Sequence, residues 1–523
     1  MVPCSRRRPR LRVKSPMNNM ARSVALSLVL SALFGCTVGP DYVRPQVDSP
    51  QKWRVDYTAA AAVANTRWWE QFADPVLDQL IDTALRENKD VRIAAARIVE
   101  FAARVDIARS GFYPQIGYNG QASRNRASRE AFGGVPTGSD RSYNDYSATL
   151  SAGWEIDLWG RIRRATEASR AELLAQDENR RTVILSLVSA VANTYITLRQ
   201  FDRQLEVSRD TLATRAESLR LFELKFKGGV ISDLELAQVK VEYEQAAAAI
   251  PPIERNIALT ENALSILLGH NPETIPRGKS IDQLIQPPIP AGVPSSLLER
   301  RPDIRAAEQN LVAANARIGV ARAQYFPGIS LTGLFGYASE QLGDLLQGSA
   351  NVWSLGGTAL GPIFTGGAIS GQVRASEAVQ RQSLVGYLQT VQGAFREVDD
   401  ALISVRKSRE QLAAEGRRVQ ALADYARLAK LRYDEGYSSY IDVLDAQRSL
   451  FDAELQYITV QADVYTSLVN TYKAMGGGWI IDAQATANGT DFPSPDQNQP
   501  AGFAFPTPTP PEDDRNSSGY TSP

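Results

Sequence analysis

Reactive side chains are scarce in this sequence. There is one histidine, His270, and there are two cysteines, Cys4 and Cys36. A zinc site built from Cys and His needs more ligands than that. A nucleophile–histidine–acid site would have to use His270, which lies in Leu268-Gly269-His270-Asn271-Pro272. That run reads as a helix end followed by a turn, so His270 is expected to be a solvated loop residue. No glycine loop of the P-loop kind is present to cradle phosphate. The inventory argues against an enzyme, such as a lipid-anchored hydrolase, and against a bound metal or cofactor.

Cys36 is the one residue in a setting for covalent chemistry. Met20-Ala21-Arg22 precedes an apolar run, Val24 to Phe34, and then Gly35-Cys36. This is the order of a secretory signal, and the run is too short to span a bilayer as a helix. Leu33-Phe34-Gly35-Cys36 resembles a bacterial lipobox, although Phe34 is larger than the residue usual there. Cys36 would then be the lipidated first residue, held firmly because each buried CH₂ adds about 0.8 kcal/mol. Thr37, in place of Asp, implies sorting to the outer membrane in that class. Residues 1–19 read as an upstream extension, with Met17 and Met20 as candidate starts. Residues 1–35 carry seven Lys/Arg and no Asp/Glu, which leaves 50 basic and 58 acidic residues, a net −8. An acidic body does not suit nucleic acid.

The elements that carry these residues are written twice. Asn88-Lys89-Asp90-Val91-Arg92 recurs as Arg301-Pro302-Asp303-Ile304-Arg305, and Tyr113-Pro114-Gln115-Ile116 as Phe326-Pro327-Gly328-Ile329. Leu224-Lys225-Phe226-Lys227-Gly228-Gly229 recurs as Leu431-Arg432-Tyr433-Asp434-Glu435-Gly436. Such self-similarity signals a tandem duplication. The expected organisation is a signal peptide over 1–35 and a lipid-anchored segment over 36–69. A first repeat over 70–275, a proline-rich linker over 276–294 and a second repeat over 295–477 follow. The tail, 478–523, is rich in Pro, Asn, Ser and Thr and is expected to be disordered.

Each copy predicts a helix ending at an aromatic-Pro step, two strands, a very long helix, a glycine turn and another helix. No Gly or Pro occurs from Arg161 to Lys227, enough for roughly 100 Å of helix. Ile184, Val191, Leu198, Leu205, Leu212, Leu219 and Phe226 fall seven apart, as do Val391, Val398, Val405, Leu412, Val419, Ala426 and Tyr433. That spacing is a coiled-coil seam. Pro251-Pro252 should kink or interrupt its helix.

The strands alternate. Ile116, Tyr118, Gly120 and Ala122 form one apolar side, and Tyr146, Ala148, Leu150, Ala152, Trp154 and Ile156 another. Ile329, Leu331, Phe335 and Tyr337 follow in the second copy, partnered by Trp353, Leu355, Ala359 and Ile363. Segments of this length can cross a membrane at a tilt, with Tyr143, Tyr146, Trp154, Tyr337 and Trp353 as interface aromatics. No segment after the signal reads as a membrane helix, so a spanning part must be a barrel. Four strands cannot close one, since about eight is the minimum. A lipid-anchored periplasmic coiled-coil adaptor or scaffold is the rival reading. It accounts for the helices but not for the strands.

Together these features resemble the outer-membrane factor family of TolC-like channels, most closely its OprM/NodT-type efflux lipoproteins. The resemblance is carried by Cys36-Thr37-Val38-Gly39-Pro40-Asp41-Tyr42, by Trp68-Trp69 with Phe72-Asp74-Pro75, by Ser295 through Ile304, and by Gly436 through Leu450. It covers about 36–480. It implies a mostly α fold with a transmembrane β component, in which a homotrimer forms a twelve-stranded outer-membrane barrel continued by a periplasmic helical tunnel. It implies a passive efflux duct that works with a membrane-fusion adaptor and an inner-membrane resistance-nodulation-division pump. The adaptor-docking tips would be Gly228, Gly229 and Gly436. The gate would hold Tyr433 as the tip tyrosine, Ile441 at an apolar constriction, and Asp445, with Asp442 nearby, in an acidic ring. Ser438 stands where some members place a locking arginine. The exported cargo is not legible.

Overall fold

The computed structural model describes residues 37–50, 52–54, 66–128, 142–289, 294–476 and 479–488. Cys36, the expected signal peptide over 1–35, residues 129–141 and the residues beyond 488 lie outside the described residues. Helix α1 spans Pro75–Glu87. The first copy then runs α2 (Lys89–Ser110), β1 (Gln115–Arg126), β2 (Ser142–Ile156), α3 (Arg161–Lys227) and α4 (Asp233–Leu268). The second runs α5 (Pro302–Ala323), β3 (Gly328–Ser339), β4 (Asn351–Leu360), α6 (Ala368–Asp434) and α7 (Tyr440–Met475). A last helix, α8, covers Trp479–Asn488. The duplication is literal in length: the paired helices have 22, 67 and 36 residues in both copies.

The four strands form one antiparallel sheet in the order β1-β2-β3-β4. Its register puts Tyr118 opposite Leu150, Leu150 opposite Phe335, and Phe335 opposite Trp353. Because alternate residues point to opposite faces, all the apolar sets named above share one face, save Ile363. That residue lies beyond β4, which ends at Leu360 before Gly361-Pro362. The other face carries Asn119, Gln121, Ser147, Thr149, Ser151, Thr332, Ser354 and Thr358. Among the described residues nothing covers this part of the apolar face: Tyr118 is 90% exposed and Leu355 82%.

The core lies where the long helices meet the short ones. Ile184, Val191, Leu198 and Tyr195 of α3 are buried with Leu77, Ile81 and Leu85 of α1, and with Tyr465, Val469 and Tyr472 of α7. This stretch of α3 is apolar enough to cross a membrane by composition, but it is the core of the helical body. Trp68, Trp69 and Trp479 close the same cluster. The Trp69 and Trp479 rings meet edge to face at 5.3 Å, and Trp68 stacks on Tyr472 at 5.2 Å. Further along, the seams loosen: Leu205, Leu212 and Leu219 are half-buried, and Phe226 is exposed while Phe222 is buried. A straight helix drifts by about 20° per heptad, which shifts the buried position from one seam to its neighbour.

Two expectations are corrected. The tail does not begin at residue 478, because Trp479, Ile480 and Ala483 of α8 are buried in the aromatic core. Pro251-Pro252 does not interrupt α4, which runs through both. Both prolines are exposed, as is Ala248, so water can reach the carbonyls of Ala247 and Ala248 that lose their N–H partners.

Residues 37–54, where described, form a strap over both copies. Val38 N donates to Trp159 O (3.1 Å), and Asn315 Nδ2 donates to Pro40 O (2.9 Å). Arg44 pairs with Glu308 at 2.9 Å, and Arg164 with Asp41 at 2.6 Å. Gly39 (φ +112°) lies so close to Gly319 that a Cβ on either would meet backbone. The Trp53 ring meets Phe395 at 6.2 Å.

Candidate functional site: the helical tip and the membrane sheet

The far ends of α3 and α6 turn back into α4 and α7 with the same geometry. Gly229 (φ +70°) and Gly436 (φ +79°) take left-handed backbone, which costs a side chain that glycine lacks. Val230 N then donates to Lys225 O (2.9 Å), and Tyr437 N to Arg432 O (2.8 Å). Gly228 is right-handed (φ −80°), like Glu435 at the matching place, so it is not required for the turn. Ser232 starts α4 with a reciprocal capping box to Glu235. Ser439 caps α7 by accepting from Ile441 N at 3.5 Å.

Three aromatic rings pin the second tip to the first. Tyr433 lies 4.8 Å from Tyr440, and Tyr440 lies 4.2 Å from Phe222 of α3. Lys225 Nζ donates to Tyr433 Oη at 3.3 Å and sits 5.1 Å over the Phe222 ring. Burial raises the Tyr440 hydroxyl pKa above its ordinary value.

Just beyond, α7 has two faces. Val443, Leu444 and Ala446 are buried against Phe222, Val239 and Ala429. Ile441, Asp442 and Asp445 are exposed together on the opposite side. Asp445 Oδ1 accepts from Arg448 Nη2 at 2.6 Å. Arg448 also reaches Glu242 of α4 at 3.7 Å, and Glu242 pairs with Arg215 of α3 at 3.1 Å. The Arg215–Glu242 pair is buried. Arg215 Nη1 donates to Glu242 O at 2.7 Å, its cation lies 5.4 Å from the Phe451 ring, and burial lowers its pKa. Sequence reading missed Arg448, the partner of Asp445, and the Arg215–Glu242 pair behind it. Arg448 was findable as an i,i+3 partner, and Arg215 as a charge on the seam between Leu212 and Leu219. Glu242 becomes visible only once α4 crosses α3.

At the other end, the sheet meets the helices. Asp157 accepts from Ile162 N and Arg163 N, both at 2.9 Å, and so caps α3. Trp154 Nε1 donates to Phe112 O at 2.9 Å. Trp159, which sequence reading also missed, stacks on Phe326 at 4.6 Å and donates to Pro327 O at 2.8 Å. Thr37, the residue after Cys36, packs on Gly160 at this junction. Tyr146, Tyr337 and Trp353 share the apolar face near the hairpin end, and Trp154 shares it at the helix end. Tyr143 falls in the other register, with Asp145 and Ser147, so it does not belong to the outward row. From Tyr146 to Ile156 the face runs about 34 Å along the strand, or about 26 Å at a 40° tilt, close to the height of a barrel's apolar band.

His270 is more tightly held than a solvated turn residue. Its Nδ1 lies 2.8 Å from Glu273 Oε1, and its Nε2 3.0 Å from Glu87 Oε2. Among the described residues, no group of His, Cys, Asp and Glu has the arrangement of a metal site.

Comparison with known proteins gives the same picture. The chain is 37% identical over 464 residues to the toluene efflux pump outer membrane protein TtgC of Pseudomonas putida, covering 87% of this chain and 95% of that one. It is 34% identical over 457 residues to the cation efflux system protein CusC of Escherichia coli, covering 86% and 97%. The open state of the Neisseria gonorrhoeae MtrE outer membrane channel superposes with a TM-score of 0.77 at 32% identity, covering 85% of this chain and 99% of that one. The family model for outer membrane efflux proteins matches residues 80–270 and 293–477. Coiled tips, an amphipathic sheet and these likenesses converge, and the chain belongs to the outer membrane efflux protein family.

Proposed function

We propose that three copies of this chain close their sheets into one twelve-stranded barrel and line a single passive export duct. The observation that carries this reading is the open four-stranded sheet: among the described residues it pairs only within itself, its edges β1 and β4 are unpaired, and the face carrying Tyr118, Leu150, Phe335 and Trp353 is apolar through its middle and exposed. Unpaired edges invite pairing with another chain, and a membrane admits such a sheet only as a closed barrel. The helices then continue the duct through the periplasm. Lipidation of Cys36 would tie the chain to the periplasmic leaflet, a role supported by Thr37 at the sheet–helix junction.

The tip is the gate. On the three-fold axis, Ile441 forms the constriction and Asp445, flanked by Asp442, the acidic ring. Converging carboxylates repel one another and draw cations. Tyr433 holds the second tip against the first. The turns at Gly228, Gly229 and Gly436 are the docking points for a periplasmic membrane-fusion adaptor, which links the duct to an inner-membrane resistance-nodulation-division pump. The relatives' names cover toluene and cations, so the pump, not the duct, selects the cargo. Single-channel recording in planar bilayers tests the gate. Wild type is expected to show small, cation-preferring conductance that rises in Asp445→Ala and in Ile441→Gly. Absence of conductance in every form of a correctly inserted protein would sink the reading.

A further inference from the structure

Charge in the sheet is sorted by face. The described strands hold four charged residues: Arg124 and Arg126 in β1, Asp145 and Glu155 in β2. Arg124 is paired across from Asn144, and Arg126 from Ser142. By the strand period both arginines share the face of Ile116, Tyr118 and Ala122, the uncovered apolar one. Asp145 and Glu155 fall on the polar face. The barrel therefore turns both guanidinium groups outward and both carboxylates inward.

Their level on that face is equally specific. The last outward aromatic of β2 is Tyr146, opposite Ala122. Arg124 and Arg126 lie one and two outward positions beyond it, on the hairpin side, away from the strap and the helices. Aromatic rings mark the interface of a membrane barrel, so these arginines stand in the headgroup layer of the leaflet that faces away from the cell. Both are exposed, and neither is held by a hydrogen bond or ion pair among the described residues. Their spacing along the strand is about 6.8 Å. Two planar, permanently charged forks at that spacing, with Tyr146 beneath them, suit phosphate groups carried on a lipid.

We infer that Arg124 and Arg126 form a binding site for a phosphorylated lipid of the outer leaflet, repeated once per protomer around the barrel. This rests on the closed-barrel reading above. The test uses the purified full-length protein in detergent. Native mass spectrometry counts bound lipid A across a titration, with dephosphorylated lipid A and inorganic phosphate as parallel arms. The variants are R124Q/R126Q, R124K/R126K and, as a charge control, R396Q on exposed α6.

Wild type and R396Q are expected to bind phosphorylated lipid A about tenfold more tightly than R124Q/R126Q, with R124K/R126K between them. Dephosphorylated lipid should bind weakly and equally to all. Equal binding of phosphorylated lipid A by wild type and R124Q/R126Q, in SDS-resistant trimers of both, overturns the site. Displacement of the lipid by millimolar inorganic phosphate would reassign it to a free anion and overturn the lipid source. If wild type gives no SDS-resistant trimer, it is the barrel reading that fails.

Discussion

Asp445 is not a bare carboxylate. Arg448 holds it at 2.6 Å and leans towards Glu242 on the neighbouring hairpin. Removing Arg448 would take away the contact of α7 with Glu242 of α4 and, in the proposed gate, leave the Asp445 carboxylates without a counter-charge. Arg448→Ala is therefore expected to raise open probability by about 2–5-fold, the scale of one partly exposed ion pair. Asp445→Ala should also raise conductance but lower cation preference, whereas Arg448→Ala should raise it; reversal potentials in a salt gradient separate the two. His270 contributes one pH dependence. Hydrogen bonding to Glu273, and then to Glu87, raises its pKa above the ordinary 6.5. A raised folded-state pKa gives stability that is complete below pH 6.5 and is lost as pH rises through the folded value. The melting-temperature gap between wild type and His270→Gln should thus be widest in acid and close in alkali. Residue types at the tip were legible through the Gly436–Leu450 run. Arg448 lies in the same run and Arg215 on the coiled-coil seam, but Glu242 was not legible, because it meets them only once α4 crosses α3.

The long helices were the most legible elements. A stretch without Gly or Pro and with apolar residues seven apart has few other ways to fold, and α3 spans the expected Arg161–Lys227. Helix α8 was hidden for the opposite reason. Trp479, Ile480 and Ala483 gain meaning only against Trp68 and Trp69, some 400 residues earlier, and the polar tail after them masks the signal. Trp479 is fully buried, so Trp479→Ala should cost about 3–5 kcal/mol. Chemical denaturation of the wild type and variant checks this, and a loss below about 1 kcal/mol would mean that α8 is not part of the core. The strands were legible by alternation, but β4 was read three residues too long because Ile363 continues its parity past Gly361-Pro362.

At the scale of the molecule, two polarities must agree: apolar outside and polar inside around the barrel, and the proposed gate at one end with the hairpins at the other. The first makes a sharp pair of variants. Leu150 and Ser151 are neighbours on opposite faces of β2. Leu150→Arg places a charge near the middle of the lipid face, at about 2–4 kcal/mol, and should reduce the yield of SDS-resistant trimer. Ser151→Arg places it in the lumen and should leave assembly intact while lowering conductance to cations. The reverse result would mean that the faces are assigned backwards. The alternation across the sheet and the seam along the helices were readable before the fold was known, because period two and period seven survive in any order of elements. The strap was not, since no local pattern says that residues 37–54 lie across both copies.

That strap also sets a clock. Its second-copy partners Leu298, Glu308, Asn315 and Asp399 lie 254 to 345 positions further along the chain. They leave the ribosome long after the strap itself has been made. A chain halted after its first copy would hold a complete pair of long helices and the first-copy half of the dock, Trp159 and Arg164, but none of the second-copy partners. Full seating of the strap thus waits until translation has reached the second copy.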